Sequence, residues 1–245
     1  DAARLRAAGV EPVLMDVTAP ASIARAAGEV KRLLGGTPLR ALVNNAGVPA
    51  AGPIEMADLD AVRALFEVNF FGVLATTQAF LPLLRASSGR VINMSSVSGR
   101  FACPFAGIYA ASKYALEAAS DALRRELAAA GVGVVLIEPG SIQTPIWNRV
   151  ESLDMTQYRG TPYETLMPAV QASAVRGGHQ GLPVDRVSRA VLRAVSDRRP
   201  PARIPVVRSR SRWLAQRMLP ARLWDRLISR LLARVDAGVE VASRI

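Results

Sequence analysis

The chain has 245 residues, half of them apolar, with 31 Lys and Arg against 20 Asp and Glu, for a formal net charge of +11. That length and composition suit a single domain with one sizeable core. The lone cysteine excludes an internal disulfide, and no uninterrupted run of eighteen apolar residues marks a membrane span.

Asp1 to Gly9 reads as the end of a helix closed by glycine. PVLMDV (Pro12 to Val17) is predicted as a strand. Residues 20–34 carry Ile23, Ala26, Ala27, Val30, Leu33 and Leu34 at helical spacing. RALVNNAG (Arg40 to Gly47) is the next strand with its turn. A long helix is predicted from Asp58, its cap, to Ala86, with Val62, Leu65, Phe66, Asn69, Phe70 and Val73 along one side. RVINMS (Arg90 to Ser95) is short and β-branched, a buried strand. An Ala-rich helix then runs from Tyr109 to about Ala130, followed by a strand over VGVVLIEPG (Val132 to Gly140). A helix over Asp185 to Ser196 and a strand over ARIPVV (Ala202 to Val207) complete the body. Such alternation argues for a parallel sheet covered on both faces, a doubly wound, Rossmann-like α/β fold.

The chemistry gathers around Ser96. It sits at the carboxyl end of a strand, where open α/β sheets bind ligands. Tyr109 follows thirteen residues later and Lys113 four beyond that, so both lie on one helical face. A phenol has a reference pKa of about 10, and a neighbouring ammonium favours its ionised form. A hydroxyl, a phenol and a lysine converging there can move a proton to or from a substrate oxygen. No metal-ligand spacing occurs, so no metal is expected. Cys103 is read as a thiol without a task and His179, in a Gly-rich turn, as a solvated loop residue.

Three further motifs stand in order with these residues: Asn44-Asn45-Ala46-Gly47, Asn69 in VNFFG, and Pro139-Gly140 followed by Thr144. Together they resemble the signature of the short-chain dehydrogenase/reductases, closely over residues 10–150 and loosely beyond. The resemblance implies hydride transfer between NAD or NADP and an alcohol or ketone. Tyr109 would be the general acid or base, and Lys113 would lower its pKa and bind the nicotinamide ribose. Ser96 would hydrogen-bond the substrate oxygen, and Asn69 would bind a water completing a proton relay. It also implies cofactor contacts from Asp16 and Val17 at the adenine, from Asn45, Ala46 and Gly47, from Tyr109 and Lys113, and from Pro139, Gly140, Ile142 and Thr144. Read without the resemblance, Asp16 is a turn or capping residue and Asn69 a core asparagine. A non-catalytic binding or regulatory module is the competing function.

The family's glycine-rich phosphate loop, of the G-x-x-x-G-x-G kind, is not found in this sequence. The chain therefore reads as lacking its first strand-helix-strand unit, whose strands belong between PVLMDV and RALVNN. Residues 145–181 correspond to a substrate lid within a catalytic body of residues 1–207. The lid's aromatic and methionine content, with Phe101 and Phe105 opposite, points to a lipophilic substrate. By the same likeness a homo-oligomer is expected, and the reducing setting that suits a lone cysteine is cytoplasmic.

Residues 208–245 form a basic extension. From Arg198 to Ile245 there are twelve arginines against three acidic residues, so the positive charge is concentrated here. No nucleic-acid motif accompanies it, and no nucleic-acid partner is expected. Between residues 211 and 235, Leu223, Leu227, Leu231 and Val235 recur every four residues, as do Trp224, Ile228 and Leu232. Arg222, Arg226, Arg230 and Arg234 fall on the other side. This amphipathic helix would either lie at a membrane surface or pack on the protein.

Overall fold

A computed structural model describes residues 2–236. Four strands form one parallel sheet in the order β1 (Ala41–Asn44), β2 (Arg90–Met94), β3 (Gly133–Pro139) and β4 (Arg203–Val206). The register pairs Leu42 with Val91, Ile92 with Val135, and Ile137 with Ile204. Because side chains alternate along a strand, the continuous apolar runs supply two cores. On one face Ile92, Val135, Ile137, Ile204 and Val206 pack against Ala190 and Ala194 of α8 (Asp185–Ser196). On the other, Val91, Val132 and Val134 pack against Leu127 and against Leu84 of α4 (Gly72–Ser87). Each fully buried aliphatic side chain of this kind stabilises the fold by ~1.5–3 kcal/mol. The fold is the expected Rossmann-like α/β arrangement.

The helices begin and end where local chemistry dictates. In α2 (Pro20–Leu34) proline opens the first turn and Gly35, in the left-handed region, closes the last. Asp58 caps α3 (Leu59–Phe66) by accepting from Asp60 N at 2.9 Å. The long helix expected from Asp58 is present, but a π turn over Glu67–Phe71 interrupts it before α4 begins. Gly72 N–H reaches back to Glu67 O, five residues earlier. Such turns concentrate at functional sites. By length and composition the 29-residue helix Leu59–Ser87 could cross a membrane, contrary to the reading from uninterrupted runs. Its inner stripe of Leu65, Asn69, Val73, Thr76, Phe80 and Leu84 is instead buried in the protein.

PVLMDV does not form the predicted strand. Residues 10–15 run without regular structure, and a ladder needs a neighbouring backbone. Asp16 makes a local turn instead, its carboxylate accepting from Thr18 N at 2.9 Å and Thr18 Oγ1 at 2.7 Å. Leu14 is 88% exposed and Val43 of β1 38%, on the two segments flanking the expected insertion.

The region from Pro145 to Gly181, aperiodic in sequence, contains α6 (Ile146–Glu151) and α7 (Leu166–His179), which pack on each other. Gln171 Nε2 ties them by donating to Val150 O, Glu151 O and Leu153 O at 2.8–3.1 Å. Gly178 has no alternative, because a β-carbon there would overlap the Trp147 ring. Residues 211–235 form two helices, α9 (Arg210–Met218) and α10 (Ala221–Asp236), separated at Pro220.

Candidate active site

The strand ends and the helix α5 (Gly107–Glu126) bring Asn69, Ser96, Tyr109 and Lys113 to one place. Ser96 follows β2 and is 8% exposed. Its hydroxyl accepts from Ser98 N at 3.0 Å and points back to Pro139 O at 3.5 Å. It also faces the Tyr109 phenol, whose ionised form it favours. Lys113, 5% exposed, donates from Nζ to Met94 O at 2.9 Å and lies 5.8 Å from the Tyr109 ring centroid.

Asn69, fully buried in the π turn, spends its amide on the loop after β1. Oδ1 accepts from Val48 N at 2.8 Å, while Nδ2 donates to Val48 O at 3.0 Å and to Ser112 Oγ at 3.2 Å. Ser112 Oγ in turn donates to Tyr109 O at 2.8 Å. Asn69 thus clamps the Asn45–Gly47 turn to the Tyr109 helix. Sequence reasoning missed Ser112, although its place inside Tyr-Ala-Ala-Ser-Lys and its small hydroxyl were the available signals.

Electrostatics correct one expectation. Burial pushes the Tyr109 phenol up from its ordinary value of 10.0, with the Ser96 hydrogen bond opposing. The phenol thus stands above its ordinary value in this structure, not below it as the resemblance implied. Burial pushes Lys113 down to about 8, with the charge of Glu117 acting the other way. Burial also pushes the Cys103 thiol up to about 11, which keeps it protonated and inert.

The remaining sequence-named positions surround this group. Asn45, Ala46 and Gly47 are exposed at the end of β1. A β-carbon on Gly47 would sit 3.3 Å from Asn69 Oδ1 and 3.7 Å from Lys113 Nζ, so glycine leaves an open floor beside the lysine. Gly140 N is held by Val206 O at 3.0 Å, and Ile142 bridges to Leu182. Ile142 O accepts from Trp147 Nε1 at 2.7 Å, which seats the first turn after Thr144. Asp16 and Val17 lie in the turn before α2, where Val17 packs on Gly72 at the end of the π turn: a β-carbon there would meet Val17 O at 2.8 Å. Asn44 is structural: its Nδ2 donates to Thr77 Oγ1 and Asn93 Oδ1, and Asn93 Nδ2 to Ser120 Oγ, a buried chain joining α4 to α5 across the sheet. No group of His, Cys, Asp and Glu suited to a metal ion occurs among the described residues.

An exposed turn of small residues, a lysine beside it and a hydrogen-bonded phenol at the carboxyl ends of parallel strands define a dinucleotide-dependent oxidoreductase site. The short chain dehydrogenase family model matches residues 2–154. NADPH-dependent 3-dehydrocapnine reductase of Ornithobacterium rhinotracheale is 35% identical over 229 residues, 91% of this chain and 81% of the relative. Retinol dehydrogenase 5 of Mus musculus is 35% identical over 255 residues, 98% of this chain and 79% of its own. A short chain dehydrogenase/reductase from Burkholderia phymatum, solved in complex with NAD, aligns at a TM-score of 0.75 and 26% identity, covering 92% of this chain and 80% of that one. The chain belongs to the short-chain dehydrogenase/reductase family and is an oxidoreductase.

Proposed function

We propose that the protein interconverts a lipophilic alcohol and its ketone or aldehyde, with Tyr109 as the proton-transfer group. The observation that carries this is the gathering of Ser96 and Tyr109 with buried Lys113, 5.8 Å from the Tyr109 ring centroid, beside the open Asn45–Gly47 turn. The cofactor is NAD or NADP, which supplies the hydride donor or acceptor when bound. Asn45, Ala46, Gly47, Pro139, Gly140, Ile142 and Thr144 would hold it, with Tyr109 and Lys113 beside it and Asp16 and Val17 toward the adenine. The exposed apolar Leu14 and Val43 support a strand pair, carrying the phosphate loop, between their segments in the whole enzyme.

Within this site Ser96 orients the substrate oxygen. Tyr109 holds its proton at neutral pH because its environment disfavours the phenolate, so it is ready to donate to a developing alkoxide. Lys113 provides positive charge nearby, and Asn69 fixes the floor. A recess of about 190 Å³ is lined mainly by apolar side chains, among them Pro53, Met56, Val62, Phe105 and Ile108, with Asp58 and Gln157 at its wall; it reaches the Tyr109 helix through Ile108 and supports a lipophilic substrate. Phe105 also meets Tyr163 of the lid edge-on at 5.9 Å.

Replacing Tyr109 with Phe keeps the ring and removes the proton. Turnover by the whole enzyme should fall by roughly 10²- to 10⁴-fold. Near-normal turnover at saturating substrate would sink the assignment.

A second reading concerns the extension. Leu214, Met218, Leu223 and Leu227 are 43–83% exposed on helices rich in arginine. We propose that this outer stripe rests on an anionic membrane surface, with the body remaining outside the bilayer.

A further inference from the structure

Below the signature residues, α5 carries a second row of chemistry. Tyr109, Lys113, Glu117 and Asp121 follow one another at four-residue spacing, so they share one helical face. Glu117 is 4% exposed, unusual for a carboxylate. It is packed rather than stranded: a β-carbon on Gly99 would lie 3.0 Å from its Cγ and 3.1 Å from Lys113 O. Arg203 reaches across from β4 to pair with Glu117 at 2.9 Å, Asp121 at 2.9 Å and Glu138 of β3 at 3.3 Å. One guanidinium therefore faces three carboxylates, two of them almost wholly buried. Arg124 touches only the outer member, Asp121, at 3.2 Å. Glu117, the member nearest Lys113 along the helix, lies one helical turn from it.

We propose that Glu117, anchored by Arg203, is a positioning residue that holds Lys113 in its charged, ammonium form. The proposal rests on reading Tyr109 and Lys113 as the proton-transfer pair. Lys113 has few other partners able to do this. Asn69 and Ser112 are neutral, Met94 O is a single carbonyl acceptor, and Tyr109 holds its proton. Burial acts against the ammonium, and the Glu117 charge is the influence that opposes it. Glu117 Oε1 has no hydrogen-bond donor, so its charge is less neutralised than that of Oε2, which Arg203 Nε binds. In a partly buried site that field is weakly screened.

The sequence allows a direct test, because its only lysines are Lys31 and Lys113. In a Lys31→Arg background with lysine ¹³C-labelled at Cε, NMR follows the titration of Lys113 alone. The parent should titrate near pH 8. Glu117→Gln should lower that midpoint by on the order of one pH unit, the scale on which a neighbouring opposite charge acts. Glu117→Asp, which retains the charge, should recover most of the shift. Asp121→Asn, two turns from Lys113, should shift it in the same direction by less. An unchanged or raised midpoint in Glu117→Gln would overturn the proposal. Should that variant fail to fold by circular dichroism, an unmoved midpoint in Asp121→Asn would do the same. The titration needs no turnover, so it stands apart from the Tyr109→Phe result.

Discussion

Replacing Asn69 with Ala tests whether this side chain is a clamp or only the holder of a relay water. The substitution removes three hydrogen bonds at once, to Val48 N, Val48 O and Ser112 Oγ, from a residue with no exposed surface. Each buried group left unpaired costs ~1–3 kcal/mol. Val48 is only partly buried and would recover some of its loss from water, so a total of ~3–4 kcal/mol is reasonable for the three. A domain of this size loses roughly 2–4 °C of melting temperature per kcal/mol, so the variant should melt on the order of 10 °C lower. Circular dichroism melts at matched pH measure this. Because Gly47 stands against Asn69 Oδ1, affinity for the nicotinamide dinucleotide should fall as well. Ser112→Ala, which breaks the longest of the three bonds together with Ser112's own bond to Tyr109 O, should show a smaller thermal effect. An Asn69→Ala protein melting within about 2 °C of wild type, yet with lower turnover, would refute the clamp and favour the relay alone.

The pH dependence of stability should carry the mark of Lys113. Its folded pKa of about 8 lies below the ordinary 10.5, so between those values the unfolded chain binds more protons and stability rises with pH. Below pH 8 both states are protonated and the burial cost stays constant. Relative to Lys113→Met, wild type should gain on the order of 3 kcal/mol between pH 8 and 10.5 in denaturant titrations. A flat or falling difference would contradict the assigned burial. Gly178→Ala should displace Trp147 and break its bond to Ile142 O, costing ~1–3 kcal/mol and shifting tryptophan emission. An unaltered spectrum and melt would show that Trp147 does not pack on Gly178 as described.

The sheet was legible because its strands are buried on both faces: RVINM and VVLIE read as continuous apolar runs, and that is how they sit. Ser96, Tyr109 and Lys113 were legible because helical spacing is short-range and fixed. PVLMDV was misread for a related reason, since an apolar run states a preference to be buried and only a neighbouring backbone makes it a strand. The π turn at Asn69 was hidden, because EVNFF continues an apolar helical pattern and the extra residue per turn leaves no sequence period. Glu117 carries no signal of its own in the sequence, being one charge on an Ala-rich helix. Its burial depends on Arg203, 86 residues away, and no local pattern reports that pairing.

The extension shows where periodicity alone runs out. Seven apolar residues covering half of a helix define an arc, and they do not say what touches it. In the structure the arc is divided. Trp224 meets Phe101, in the loop between Ser96 and Tyr109, at 4.7 Å, and α10 lies against α7. Ile228 and Leu232 are also partly buried, whereas Leu223 and Leu227 are 43% and 50% exposed. The two halves should therefore separate under mutation. Trp224→Ala should lower the melting temperature and loosen the Phe101 loop, by an amount set by lost packing and independent of lipid. Leu223→Glu with Leu227→Glu should leave the melt nearly unchanged, as surface substitutions usually do within about 0.5 kcal/mol. The same pair should abolish co-sedimentation with anionic vesicles at low salt, where wild type should bind and salt should release it. Sedimentation of the double variant like wild type would dismiss the membrane role of the outer stripe. A large fall in its melting temperature would place that stripe in a protein contact instead.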